Sequence, residues 1–365
     1  MGQFDDVIRF IRPDWKPQDS IPPLDGPLTP NEELDAARVL VELHGLVDAC
    51  TLGNDSLILA AGTELFVSDA TGVTRTLATF PQEITVCAAM GSDQVIVGLR
   101  GGGLWRISSD GQKREPLLSE TASGAIEDPT AVSVSSDGSI LITDGSMDHP
   151  TDWTRDLLSR GSSGRLIWFN SHTGESRELA VGLRYASGVA WGQGERHCFV
   201  SEAWAHKIWR YELSEFGEVV SRHEVIKKLP AYPGRLVSRS RGGFWLAAFA
   251  LRTQLVEFIL QEDKYRNEMM RTVDPRYWVR PALETLNSGL EPLQAGQMKK
   301  LGITKPWAPP RSYGLALQLS ETGHVVRGWH SRAGGRRHGI TGVVDRPSGL
   351  LAVSAGSGTL LELGE

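Results

Sequence analysis

Polar and apolar positions of the 365-residue chain fall into a short pattern that recurs. A polar turn bearing Gly, Asp or Ser precedes a run of apolar residues, which ends in small ones. The unit reads GNDSLILAAG from Gly53, SDQVIVGLR from Ser92 and SDGSILITDG from Ser136. It returns as GERHCFVSEA from Gly194, RGGFWLAAFA from Arg241 and PSGLLAVSAG from Pro347. Successive copies start 39, 44, 58, 47 and 106 residues apart. Most are followed by a second apolar run and another turn, as in ELFVSDATG, GLWRISSDG, GRLIWFNSHTG and HKIWRYELSEFG. Two β-branched or aromatic runs joined by a Gly-containing turn form a hairpin. Six such units at blade-like spacing predict an all-β fold, a six-bladed β-propeller whose blades are four-stranded sheets.

Two segments break the pattern. Residues 1–38 are rich in Pro and are expected as an N-terminal arm, with a short amphipathic helix at Phe4–Ile11. Val39–Leu43 could then supply a closing strand to the propeller, which spans 39–365. Within it, Leu255–Val273 places Leu255, Ile259, Met269 and Met270 at helical spacing. A loop rich in Pro and Trp follows, ending at Pro310. Residues 253–310 are therefore expected as a helical insertion in blade five. It either acts as a lid that keeps water from a site or plugs the rim.

Composition sharpens this picture. The 40 Gly suit a fold made of turns, and 40% apolar residues suffice for a core. The 38 Lys and Arg against 44 Asp and Glu give a net charge of −6, with no basic footprint for nucleic acid or an anionic membrane. Cys50, Cys87 and Cys198 are odd in number and widely spaced, which fits neither a disulfide framework nor a zinc site. The opening MGQFDDVIRFIRPDW has early acids and does not read as a secretory signal. The expectation is a cytoplasmic protein with a small-molecule ligand, its oligomeric state left open. Arg100-Gly101-Gly102-Gly103 could cradle a phosphate but lacks the following helix and Lys, so a hairpin turn is expected there.

Longer segments carry a resemblance. LDGPLTPNEELDAARVL (Leu24–Leu40), SSDGSILITDGS (Ser135–Ser146), SSGRLIWFNSHTGESREL (Ser162–Leu179) and GLRYASGVAW (Gly182–Trp191) follow in order. FVSEAWAHKIWRYEL (Phe199–Leu213), KLPAYPGRL (Lys228–Leu236) and GGFWLAAFALR (Gly242–Arg252) continue the series. From Leu24 to the end, the insertion apart, the chain resembles strictosidine synthase-like and gluconolactonase-like propellers of the calcium-dependent lactonase superfamily. That resemblance implies action on lactones or related small molecules. It also implies one divalent cation, usually calcium, in the central channel, held by a Glu, two Asn and an Asp. Such oxygens suit a hard cation, which would polarise a lactone carbonyl. Carried over, the ligand positions fall on Val47, Thr130-Ala131, Ser187 and Gly234. Calcium is implied by the resemblance alone, its expected ligands being replaced. No residue is assigned to a metal, unless Asp48 or Asp144 compensates. The acid/base Glu of strictosidine synthase falls near Thr341, which disfavours that particular activity.

The remaining candidates are of another kind. His338 is the expected general base, oriented by Glu202 or Asp48. Arg235 and Arg252 are expected to bind substrate, Arg being suited to planar anions. Ser187, Thr130, Arg311, Tyr313 and Thr341 complete the expected substrate site. Fixed positive side chains replacing a metal could still stabilise an oxyanion. The sequence thus points to a metal-independent lactonase or esterase for a small anionic substrate. The alternatives are a non-catalytic binding or sensor propeller, or a protein-interaction scaffold. Plainer roles stand beside each residue: Glu202 can pair with His206 or Lys207, and Asp48 can bind backbone amides. Trp168, Trp191, Trp209 and Trp245 are expected between blades.

Overall fold

Six four-stranded antiparallel sheets follow one another along the chain in a computed structural model. It describes every residue except 1–19, 54–55, 69–73, 215–216, 285–298, 301–302, 305–310 and 365. The helix expected at Phe4–Ile11 and most of the loop ending at Pro310 lie outside the described residues. Blade one opens with Leu46–Thr51, blade two with Ile84–Met90 and blade three with Pro129–Val134. Ala186–Trp191, Ala231–Ser238 and Ile340–Arg346 open blades four, five and six. These first strands pack side by side around the central channel, each against the next and the sixth against the first. Blade six is completed from the other end of the chain, where Arg38–Glu42 pairs antiparallel with Thr359–Gly364. Joining both chain ends in one sheet leaves the ring without an open first blade.

The repeat visible in the sequence is the second strand of each blade. Leu57–Ala61, Ser139–Asp144, His197–Glu202, Phe244–Leu251 and Gly349–Ser354 are buried at every position. A strand covered on both faces needs a continuous apolar run, and that made these segments conspicuous. Core clusters bridge neighbouring blades: Ala190 and Phe199 of blade four pack with Leu246 and Leu315 of blade five. Trp168 and Trp191 join blades three and four, and Trp245 meets Trp329 and Leu350. Cys50 and Cys87, distant in sequence, pack in one cluster between blades one and two as free thiols. Among the described residues, no helix is long and apolar enough to cross a membrane.

Two helical excursions leave the sheets at the same end, between the second and third strands of their blades. In blade three, Trp153–Ser159 starts at Asp152, whose carboxylate accepts from the backbone of Thr154 and Arg155. In blade five, Gln254–Gln261 is capped by Thr253, and Asp263–Thr272 follows. Their apolar faces meet, with Leu158 against Ile259, Met269 and Trp278. The strands flanking the second excursion, Phe244–Leu251 and Gly314–Leu319, still pair directly.

Candidate functional site

Every first strand breaks its ladder near the end from which the helices emerge. The register shifts at Val47, Thr85, Thr130, Ser187 and Thr341, and across Gly234-Arg235 in blade five. A bulge turns backbone groups out of the ladder, here into the channel. The bulged residues then tie each blade to its neighbour. Cys87 N–H donates to Asp48 Oδ2 (2.9 Å) and Thr85 Oγ1 to Pro129 O (2.5 Å). Thr130 Oγ1 donates to Ala186 O (2.6 Å) and Ser187 Oγ to Pro233 O (2.7 Å). Arg235 Nη1 donates to Thr341 O (2.7 Å), and Thr341 Oγ1 to Val47 O (2.8 Å). The circuit is complete, with at least one link between each pair of adjacent blades.

Arg235 fills the middle of this circuit. Its Nε donates to Thr130 O at 3.0 Å and its Nη1 also to Val47 O at 3.0 Å, while Nη2 donates to Thr85 O. Asp48 Oδ1 lies 3.5 Å from Nη1. Gly188 makes room for this: a Cβ there would stand 2.2 Å from Gly234 O and 2.9 Å from Arg235 Cα.

Above the circuit opens a cavity of about 360 Å³. Arg235, Thr85, Thr130, Ser187 and Thr341 form its floor; Trp153, Tyr185, Phe249 and Leu283 form an aromatic and apolar wall. Asp128, which immediately precedes the first strand of blade three, reaches the cavity from a buried position. Arg100 Nη1 donates to its Oδ1 (2.9 Å) and Tyr185 Oη to its Oδ2 (3.0 Å). Burial pushes the Asp128 carboxyl up to about 7; Arg100 pulls it down, nearby Asp144 pushes it up, and the Tyr185 hydroxyl pulls it down. Tyr185 itself holds a left-handed backbone, φ 59°, unusual for an aromatic residue. Three contacts fix it: its ring stacks on Trp204 at 4.5 Å, its hydroxyl binds Asp128, and the preceding Arg184 N–H donates to Glu202 Oε1 at 2.7 Å. Strain held by its surroundings in this way is characteristic of functional sites.

The residues expected from the sequence divide by location. Thr130, Ser187, Thr341 and Arg235 do meet in the channel, but their polar groups are engaged with carbonyls of other blades. Asp48 lies on the far side of the circuit, lining a second cavity of about 680 Å³ that Arg235 separates from the first. His338 reaches neither: Ser312 Oγ lies 2.8 Å from its Nδ1, and Arg332 O lies 2.8 Å from its Nε2. Both ring nitrogens are thus held inside the protein, so the expected base is a buried packing residue. Glu202 does not orient it, because its second oxygen accepts from the Trp209 indole at 2.7 Å. Arg252 lies under the insertion, paired with Glu257 at 3.0 Å, and not in the channel. Arg311 donates to Arg276 O within the insertion, and the Tyr313 hydroxyl meets His330. The expected cationic pocket of Arg235, Arg252 and His338 is therefore not assembled, and with it goes the reason to expect an anionic substrate.

Asp128, Tyr185 and Trp153 are not singled out by the sequence, and Arg100 only as part of a glycine turn. Asp128 stands beside Thr130, two positions from a carried-over ligand site. Arg100 lies in the glycine turn, which does form a hairpin, with Gly101 and Gly103 at positive φ. The 58-residue gap between the third and fourth repeats was the available signal for the excursion that delivers Trp153.

The residues do not fit a divalent cation. Val47 and Gly234 offer no side-chain ligand, and Thr130 and Ser187 offer only neutral hydroxyls. Both Asp144 oxygens are engaged, with Arg165 at 2.6 Å and Asp128 N–H at 2.7 Å. Among the described residues, no three His, Cys, Asp or Glu gather as a metal cluster.

Comparisons with known proteins bear on the family and the fold. Protein STRICTOSIDINE SYNTHASE-LIKE 6 of Arabidopsis thaliana is 32% identical over 157 residues, 42% of this chain and 41% of that protein. Adipocyte plasma membrane-associated protein of Gallus gallus is 26% identical over 214 residues, 56% of this chain and 43% of that protein. The matches thus span about two fifths of the length of these curated relatives. A gluconolactonase of Xanthomonas campestris superposes with TM-score 0.60 at 12% identity, over 91% of both chains. The calcium-binding protein regucalcin of Agrobacterium tumefaciens gives 0.58 at 10%, over 90% of this chain and 93% of that one. At such identities the likeness establishes the fold, a six-bladed propeller. The family model described as SMP-30/Gluconolactonase/LRE-like region matches residues 60–269, more than half of the sequence, and the chain belongs to that family.

Proposed function

We propose that this protein is a lactonase-type hydrolase that opens a small lactone or ester in the cavity above the channel circuit. The observation that carries this reading is Asp128, a carboxyl held near neutrality at the wall of a cavity, gripped by Arg100 and Tyr185. A base is most effective when its pKa lies close to the working pH. In the ionised form Asp128 takes a proton from a water as the oxygen of that water attacks the ester carbonyl. Negative charge then develops on the carbonyl oxygen, facing the Arg100 guanidinium. Collapse breaks the C–O bond, and Asp128 returns its proton to the leaving alkoxide. Lactone plus water thus becomes a hydroxy acid. Trp153, Tyr185, Phe249 and Leu283 favour a substrate with an apolar or aromatic body, and the cavity suits a compact one.

The test is a panel of γ- and δ-lactones and aryl esters, assayed with wild type and Asp128→Asn. Turnover of at least one compound, lost in the variant while its binding persists, supports the reading. Equal turnover by both proteins removes Asp128 from the chemistry. The engagement of the floor hydroxyls with other blades favours a second reading, a non-catalytic small-molecule binder. Compounds that raise the melting temperature and are never turned over would select it.

A further inference from the structure

We propose that the Arg235 guanidinium is a built-in cation that permanently occupies the axis of the propeller and makes its closure independent of any metal. This inference stands apart from the hydrolase reading. The bulges turn carbonyls of four blades, at Val47, Thr85, Thr130 and Thr341, toward one point, and the Asp48 carboxylate faces the same point. Inward-pointing oxygens in a buried place repel one another and need positive charge between them. A hard metal ion answers that need with oxygens at about 2.3–2.6 Å in three dimensions. The guanidinium answers it in a plane, and its fork matches the inward carbonyls. Four of its five N–H groups are engaged with carbonyls of other blades.

The chain carries features that allow this arrangement. The extra residue in the blade-five bulge gives Arg235 its position on the axis. Gly188, in the neighbouring strand, leaves space for that bulge. Gly342 does the same for the counter-charge, since a Cβ there would stand 2.7 Å from Asp48 Oδ1. The hydroxyls of Thr130 and Ser187 donate to carbonyls of the next blades and so link the ring. Unlike a metal, this cation cannot be chelated or exchanged. It also partitions the channel, since Arg235 lines both the upper and the lower cavity.

The experiment uses the intact chain and needs no substrate. Wild type is dialysed against calcium, desalted, and its metal content measured by plasma mass spectrometry; its melting curve is recorded with calcium and with EDTA. Less than about one tenth of an equivalent of calcium and superimposable melting curves are expected. Stoichiometric calcium, or a melting temperature that falls with EDTA, would overturn the proposal. Arg235→Ala is then melted with and without millimolar methylguanidinium. A loss of roughly 10 °C, partly recovered by methylguanidinium and not by methylammonium, is expected from removing one partner of a buried polar cluster. Melting at the wild-type temperature would overturn it. Should Arg235→Ala not fold, Arg235→Lys serves: it keeps the charge but not the fork. Soluble protein melting below wild type supports the proposal; melting at or above wild type contradicts it.

Discussion

The channel axis and the mouth above it use neighbouring residues of the same strands, yet they are built on opposite terms. On the axis, hydroxyls and a guanidinium are matched with carbonyls of adjacent blades. Interactions of that kind fix a structure and leave little for chemistry. At the mouth, Asp128 sits just before one of those strands in a state held far from its ordinary value, and Tyr185 keeps a strained backbone. The difference is taught most directly by Thr130 and Asp128. They are two residues apart in sequence, and one closes the ring while the other faces a cavity. In this protein the positions that resemble a metal site hold the fold together, and the carboxyl proposed as the base stands beside them.

Four experiments test that contrast. Asp128→Asn should lower kcat/KM by about 10²–10⁴-fold on any hydrolysed substrate. The wild-type rate should rise with pH through about 7 as Asp128 ionises, a limb that the variant lacks. The sign for stability is opposite. Because burial raises this carboxyl in the folded state, its contribution is full below the unfolded value near 3.8 and is lost as pH rises through about 7. The melting temperature of Asp128→Asn relative to wild type should therefore increase from about pH 5 to about pH 8. If the gap stays constant, the carboxyl is not raised.

Next in size is Arg165→Met. Arg165 and Asp144 are a fully buried pair at 2.6 Å, and Asp144 Oδ1 accepts the Asp128 N–H. Leaving Asp144 without its cation should cost about 3–5 kcal/mol, measured by denaturant unfolding. It should also move the Asp128 limb of the pH profile, because the nearby Asp144 carboxyl acts on that of Asp128. An unchanged profile would show that mouth and scaffold are separable. Tyr185→Phe removes one donor that favours ionised Asp128. Its pH–rate limb should shift to higher pH, with kcat reduced more than KM is raised; a shift to lower pH would contradict the role given to the hydroxyl. Smallest is Thr130→Val, which deletes the link from blade three to blade four. About 1 kcal/mol of stability should be lost, with kcat retained. A collapse of activity would return Thr130 to the substrate site.

Much of the fold was legible because burial leaves a local mark. A second strand sandwiched between blades must be apolar at every position, and Ser139–Asp144 or Gly349–Ser354 can be recognised from the sequence. The helical character of the insertion was legible for the same reason, since Ile259 of its first helix and Met269 of its second face one core. The site was far less legible. His338, Glu202 and Arg252 carry chemistry suited to catalysis, but their partners, Ser312, Trp209 and Glu257, are matters of packing that residue type does not reveal. Asp128 and Tyr185, 57 residues apart, meet only when blades three and four stand side by side.

The sequence by itself determined the repeat, the strand-turn rhythm and hence the propeller, because these follow from local periodicity and from the turns that glycine permits. It also determined which ligand-type side chains are missing at Val47, Thr130, Ser187 and Gly234. The tertiary structure alone decided what takes their place. Each first strand slips its register at the same depth, and groups from five blades then point at one axis. Where Arg235 ends, which carbonyls it meets and which acid is left facing the cavity depend on those slips. They are properties of closed sheets packed in a ring, and no single segment encodes them.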